Sequence, residues 1–253
     1  MNRFPLAKDF EVFCLSKAEA ALLYEDVFVE NGYFRHGIHL GASPVVFDVG
    51  ANIGLFSLYV HRHCRNSKLF CFEPLPPIFG VLEANIALHG VDARLFACGL
   101  SAVRGVATFT FYPHNSALSG QYADRSEDEG LARNILKHRD PEIERDLDIL
   151  LEGKFASERF MRPLATLSEI MEQHKVDRVD LLKIDVEKAE ADVLDGIAPH
   201  DWSRIRQVVL EAHDRQGKLS HIVALLQKHG FKTVVEQNPN FRGTCVYDVF
   251  ATR

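Results

Sequence analysis

Apolar residues along this chain fall into two spacings, and the spacings divide it into strands and helices. Short unbroken runs occur at Val45-Val46-Phe47, Leu69-Phe70-Cys71-Phe72, Leu181-Leu182-Lys183-Ile184 and Val208-Val209-Leu210. Such runs suit strands buried on both faces of a parallel sheet. Residues 93–98 predict another core strand, 105–112 a strand beside the core, and 230–235 with 245–251 a terminal hairpin. A spacing of three and four appears at Ala20, Leu23, Tyr24, Val27 and Phe28, which predicts a helix over 17–29 behind a Ser16 N-cap. Helices are also expected from Leu55 onward and over 76–89, the latter stopped by Gly90. A further one ends near Lys175, capped by Thr166 or Ser168 with Glu169 in its first turn.

The elements arrange as one α/β domain over residues 1–253, a length suited to a single domain with additions. Residues 1–43 precede the first core strand and read as a helical extension. Residues 113–161 interrupt the core: 113–122 are small, polar and turn-rich, and 124–152 are densely charged. A charge run is usually a solvated face. Here Ile135, Leu136, Ile143, Leu147, Leu150 and Leu151 predict helices, broken at Pro141. Insertions of this length tend to be lids or binding elements.

Candidate chemistry begins where the first core strand ends. Asp48-Val49-Gly50-Ala51-Asn52-Ile53-Gly54 follows the apolar run and leads into a helix. Strand, glycine loop and helix together are how open α/β sheets hold nucleotide-like cofactors. The next strand ends at Glu73-Pro74, about twenty residues on, where an acid accepts hydrogen bonds from a ribose. A lone glutamate there would read as a solvated strand end; beside the loop, the ribose reading is favoured. A dinucleotide loop would carry glycine near Asn52. The acid at Asp48 repels a pyrophosphate and attracts a sulfonium or ammonium.

Asp-Val-Gly-Ala-Asn-Ile-Gly followed by Phe72-Glu73-Pro74 resembles the class I S-adenosylmethionine-dependent methyltransferases, specifically the FkbM family, over about residues 30–250. The resemblance implies a Rossmann-like, doubly wound, mostly parallel sheet of seven strands with a C-terminal antiparallel hairpin. It implies S-adenosylmethionine as cofactor, S-adenosylhomocysteine as product, and Asp48, Gly50, Asn52, Gly54 and Glu73 as cofactor-binding residues. Cys98 and Gly99 fall near the adenine end, without the additional acid that class I enzymes often place there. The Phe-Tyr-Pro … Ser-Gly-x-Tyr stretch and the helical insertion are most similar to members that act with polyketide and nonribosomal peptide synthases. That sets Ser119 and Tyr122 as substrate-binding residues, with Tyr24 on a covering helix. The implied partner is a small-molecule acceptor, free or presented on a carrier protein.

Strand side chains alternate, so Asp185 and Glu187 share one side, as do Glu211 and His213. All four fall at carboxyl strand ends, the edge that also holds the Asp48 loop. Methyl transfer mainly needs positioning, but a hydroxyl acceptor must also lose its proton, which suits histidine near neutral pH. His213 is therefore assigned as general base, with Glu187 orienting it and Asp185 shaping the pocket. The same four residues suit magnesium or manganese. A metal-free site needs fewer assumptions and is preferred. The resulting expectation is O-methylation of a natural-product hydroxyl. Sugar O-methylation, N-methylation, a non-catalytic cofactor-binding module and, more weakly, a nicotinamide oxidoreductase stand as alternatives.

The net charge of -6 argues against a general nucleic-acid binder. Five unpaired-looking cysteines without Cys-x-x-Cys spacing favour a reduced, cytoplasmic setting and no structural zinc. No apolar run reaches membrane-spanning length, so no membrane partner is expected.

Overall fold

The computed structural model describes residues 3–139 and 141–253. An antiparallel hairpin, β1 (Arg3–Ala7) and β2 (Phe10–Phe13), leads into α1 (Lys17–Tyr24) and a π-helical turn, Glu25–Val29. The core then runs β3 (Val45–Val49), α2 (Leu55–His63), β4 (Lys68–Phe72), α3 (Pro76–His89) and β5 (Ala93–Phe96). Next come β6 (Gly99–Leu100), β7 (Gly105–Phe111), the cap helices α4 (Arg125–Arg139) and α5 (Leu147–Leu151), and β8 (Glu158–Ala165). The chain closes with α6 (Leu167–Gln173), β9 (Leu181–Ile184), α7 (Glu190–Asp195), β10 (Gln207–His213), α8 (Lys218–Lys228), β11 (Lys232–Glu236) and β12 (Val246–Thr252).

Seven strands form the central sheet in the order β11-β12-β10-β9-β3-β4-β5, and only β12 runs against the others. The chain leaves β3 for β4 on one side, and β9 lies on the other. A crevice therefore opens at the carboxyl end of β3, the switch point where open α/β sheets bind ligands. Phenylalanines knit this part of the sheet: Phe47–Phe70 and Phe72–Phe96 both stack with centroids 4.7 Å apart. Each such pair adds roughly 0.5–1.5 kcal/mol beyond area burial.

Several expectations hold at residue level. Ser16 caps α1, accepting from the Glu19 amide at 3.4 Å. Thr166 and Glu169 form a reciprocal capping box at α6. The terminal hairpin is present, with β12 inserted between β10 and β11. Others shift. The helix expected over 17–29 is α-helical only to Tyr24 and then widens to a π-helical turn. The strand over 105–112 does lie beside the core, in a separate three-stranded sheet of order β6-β8-β7, but β8 begins at Glu158, ahead of the expected return to the core. Two helices, α7 and α8, lie where no element was expected.

The N-terminal hairpin is tied to the crevice by one buried side chain. Asn85 of α3 accepts from the Phe13 amide at 2.7 Å and donates to the carbonyls of Phe13 (3.0 Å) and Ile53 (2.8 Å). A single amide thus fixes β2 against the loop after β3, using the donor and acceptor capacity of a buried asparagine in full view of the backbone groups that need it.

Candidate active site

A cavity of about 620 Å³ opens in the crevice, within the range of small-molecule sites. Two walls with different chemistry enclose it.

The first wall is the loop between β3 and α2 together with the end of β4. Gly50 (φ +77°) and Asn52 (φ +51°) are both left-handed, which glycine and asparagine tolerate best. A Cβ at Gly50 would stand 1.7 Å from the Asp185 carbonyl oxygen, so no side chain fits there. The Gly50 and Ala51 amides donate to the Phe72 carbonyl at 3.0 and 2.9 Å. Glu73 follows directly, its carboxylate accepting from the amides of Asn52 (3.2 Å) and Leu75 (2.9 Å). Each oxygen keeps a lone pair, and Glu73 lines the cavity. Burial pushes its carboxyl up to about 7. Cys98 and Gly99 line the same end.

Asp48 does not face the cavity. It is fully buried, accepts from Ser57 Oγ at 2.7 Å and pairs with Lys183 Nζ at 3.1 Å. The expectation of direct contact with a cationic cofactor therefore changes: its charge is taken up by lysine. Lys183 lies directly opposite Asp48 in the β3–β9 register and donates to the Gly50 carbonyl at 2.7 Å. Burial works against its charge, but Asp48 and Asp185 prevail and hold its ammonium above the usual range. Gly54 (φ +93°) also stands behind the wall, where a Cβ would meet Leu82 Cδ1 at 2.8 Å.

The second wall gathers carboxylates from the turn after β9, from β10 and β12, and from the N-terminal extension. Asp185, Glu187, Glu211, Asp26 and Asp248 all line the cavity, with Lys183 and Arg35 as nearby cations. Tyr33 donates to Asp185 Oδ2 at 3.1 Å. Burial pushes Asp26 up to about 6 and Asp248 up to about 7. Burial, then the neighbouring Asp185, raises Glu211 well above the carboxylate range, and burial also raises Glu187.

β9 stops at Ile184, so the expected strand alternation does not carry through Glu187. Glu187 (φ +51°) and Lys188 (φ +77°) instead take successive left-handed conformations, each costing of order 1 kcal/mol for residues of this type. The turn keeps Asp185 and Glu187 together on the cavity by a different route. His213 stands one layer further back and does not line the cavity. It is 1% exposed, and its Nδ1 lies 2.9 Å from Glu190 Oε1. Its Nε2 is 3.3 Å from Glu187 Oε2, but the alignment is poor and neither atom has a hydrogen-bond partner. Burial alone would lower the imidazole, yet Glu187 and Glu190 raise it well above its ordinary value. Glu187 is thus the group at the surface of the cavity, with His213 and then Glu190 behind it.

The cap supplies the remaining side. Leu131, Ile135 and Leu136 of α4 face the cavity together with Leu22 and Leu23 of α1. Ser119 lines it and accepts from the Tyr112 amide at 3.0 Å. Two expected substrate contacts fall outside. Tyr24 stacks on Phe28 at 4.8 Å and packs near Phe10. Tyr122 donates to Asp192 at 2.7 Å beneath the Lys218 ammonium. Sequence reasoning missed Glu190 and Lys188, and read Lys183 as a lysine that snorkels near a strand end although it could anchor a carboxylate; in the structure it pairs with Asp48. For Lys183 a signal was present, since a lysine inside an otherwise apolar strand needs a buried counter-charge.

The sheet order, the loop and the acid after β4 define a class I methyltransferase. Residues 48–233 match the methyltransferase FkbM domain model, and the chain belongs to that family of S-adenosylmethionine-dependent methyltransferases. It is 40% identical, over 94% of its length and 92% of the relative's, to the 31-O-demethyl-FK506 methyltransferase FkbM of Streptomyces tacrolimicus. It is 36% identical to part of the AMB antimetabolite synthetase AmbE of Pseudomonas aeruginosa, spanning 94% of this chain but 12% of that protein. In fold it is similar to a methyltransferase FkbM from Methylobacillus flagellatus (TM-score 0.52, 13% identity, 89% of this chain and 47% of that one). No helix of the described residues is long and apolar enough to cross a membrane.

Proposed function

We propose that the protein methylates a hydroxyl group of a natural-product intermediate, free or carrier-bound, and that Glu187 accepts the hydroxyl proton. The observation that carries this is the row Glu187–His213–Glu190, which starts at the cavity surface and ends in the core. The family supports methyl transfer, and the Streptomyces relative, named for an O-methylation, supports a hydroxyl acceptor.

The first wall fits the cofactor. Glu73 offers two carboxylate oxygens to a ribose diol, and the absence of any side chain at Gly50 lets the loop pack against the Asp185 backbone. S-adenosylmethionine, when bound, supplies an electrophilic methyl group on a sulfonium and leaves as S-adenosylhomocysteine. The chain's own residues then have two tasks. The apolar cap residues Leu131, Ile135 and Leu136 exclude water and orient the acceptor. Glu187 takes the proton: burial has raised its carboxyl toward neutrality, which suits a general base. His213, expected as the base itself, lies behind Glu187 as its buried counter-charge, and Glu190 holds His213 in turn.

A second reading uses the same edge for a divalent cation. One ligand atom each from Glu187, Glu211 and His213 lie within 4.8 Å of one another, and Nε2 of His213 is unpartnered. Oxygen-rich sites with one imidazole suit manganese or magnesium.

Both readings are tested by incubating the protein with S-adenosylmethionine and a panel of acceptors, with and without chelator. The panel comprises a polyketide alcohol, a sugar, a carrier-bound hydroxyacyl chain and an amine, scored for one added methyl by mass. Alcohol methylation that resists chelation supports Glu187 as acceptor of the proton. Loss on chelation, restored by manganese, supports the cation. Methylation of the amine alone contradicts the hydroxyl reading.

A further inference from the structure

Lys188 is a buried charge with no part in the proposed methyl transfer. Lys188 is 3% exposed, one residue beyond Glu187, and its side chain turns away from the cavity to reach the cap. Its ammonium pairs with Asp128 of α4, which is 1% exposed and also accepts from Tyr112 Oη at 3.0 Å. Glu127, one residue earlier, lies 3.3 Å from the same ammonium and 3.0 Å from Arg215, just past the end of β10. Burial opposes the Lys188 charge, but Asp128 and Glu127 prevail and raise it.

The main chain of Lys188 faces the other way. Its amide donates to Glu190 Oε1 at 2.7 Å, the oxygen that also engages His213 Nδ1. Its carbonyl accepts from Lys218 Nζ at 3.2 Å. One residue therefore grips α4 with its side chain and the Glu190–His213 pair with its backbone. It does so at φ +77°, where glycine would be at ease and lysine is strained. A lysine strained at this φ, with its charge removed from water, gains little stability from the pair, since buried ion pairs add little over apolar replacements.

We propose that Lys188 is a positioning residue that latches the cap to the proton-accepting edge of the site. α4 carries Leu131, Ile135 and Leu136 of the cavity wall, so the latch sets how long the cavity stays closed over its contents. The inference rests on the methyltransferase reading for the contents and on geometry alone for the latch. It identifies Asp128 as the cap's half of the pair and explains why a charged insertion carries one acid fully buried.

The test is the double variant Lys188→Gly, Asp128→Asn. Glycine relieves the left-handed strain and keeps the amide that holds Glu190. Asparagine removes the buried charge that lysine had balanced and still accepts from Tyr112. S-adenosylhomocysteine serves as the probe, with its dissociation followed by stopped flow, and hydrogen exchange is read by mass spectrometry with and without it. Dissociation should quicken by about tenfold or more, as expected for one lost charge-assisted hydrogen bond. Exchange should rise in 125–139 and stay unchanged in 76–89. Equal exchange in both segments and an unchanged dissociation rate would overturn the latch. So would a uniform rise across the chain, which marks a merely structural role. If wild-type protein failed to hold the probe, the cofactor reading would fall, and exchange of the unliganded proteins would still decide the latch.

Discussion

The two walls of the cavity are built by opposite means. The wall after β3 is mostly backbone: left-handed glycine and asparagine, amides turned onto the Phe72 carbonyl, and one carboxylate, Glu73, whose oxygens are already held. Its parts lie within about 25 residues of each other. The wall at β9 and β10 is made of side chains, chiefly carboxylates brought together from residues 26, 185, 187, 211 and 248. In the proposed function the backbone wall holds the cofactor, for which a short rigid device suffices. The carboxylate wall is the one proposed to meet the acceptor, and its geometry depends on the cap, on α7 and on the N-terminal extension at once.

The comparison is broken most severely at Gly50. Gly50→Ala places a methyl group where 1.7 Å separates it from the Asp185 carbonyl, at a φ of +77°. That joins the two walls by force, and the expected loss is at least about 3 kcal/mol in urea unfolding. A stable Gly50→Ala protein would mean that the walls are not packed as described.

A titration separates the walls next. Glu73 and Asp248 near 7 and Asp26 near 6 are raised by burial from ordinary values of 4.5, 3.8 and 3.8. Groups raised in the folded state give stability that is complete below their unfolded values and lost as pH climbs through the folded ones. The unliganded protein should therefore lose stability between about pH 4 and pH 8, with Glu73 alone contributing of the order of 3 kcal/mol. His213, also raised, acts with the same sign. Thermal melts should show a lower Tm at pH 8 than at pH 5.5, and Glu73→Gln should flatten the slope. A Tm that rises across this window would contradict the burial of these carboxyls.

Glu187→Gln tests the acceptor wall alone. Removing the proton acceptor should lower turnover about 100-fold, the usual range for a general base, measured with whichever alcohol the acceptor panel identifies. Equal turnover would move the proton elsewhere, Asp185 and Glu211 being the next groups on the wall. The smallest effect is expected at Tyr24. Tyr24→Phe keeps the stack on Phe28 outside the cavity and should leave both binding and turnover within about twofold, since it removes only a hydroxyl that no part of the site uses.

The difference between the walls also explains what could be read from the chain. The backbone wall is local, so Gly50, Asn52 and Glu73 announce themselves by spacing; the buried core strands follow from their apolar runs, while the count of seven follows from the family resemblance. Asp48 was legible as important but not in its role, because its partner Lys183 is 135 residues away and is revealed only by strand register. The carboxylate wall was legible in its members and not in its order. Strand alternation places His213 with Glu211. It cannot foresee that the chain turns left-handed at Glu187 and Lys188 and sets Glu187 in front of the imidazole. Glu190 and Asp128 were invisible for the same reason: one sits in a short helix that no apolar period marks, the other in a charge run that reads as solvent-facing. Tyr122 and Tyr24 stood in suggestive positions but spend their rings and hydroxyls on packing and on Asp192.

The central claim is that cofactor recognition belongs to the backbone wall and proton handling to the carboxylate wall. Calorimetric titration of S-adenosylhomocysteine into wild-type protein, Glu73→Ala and Glu187→Gln tests it directly. Glu73→Ala should weaken binding by about 30-fold or more, the value of the lost charge-assisted hydrogen bonds, while Glu187→Gln stays within about threefold of wild type. If Glu187→Gln weakens binding as much as Glu73→Ala, or if Glu73→Ala binds as wild type does, the division between the two walls is wrong.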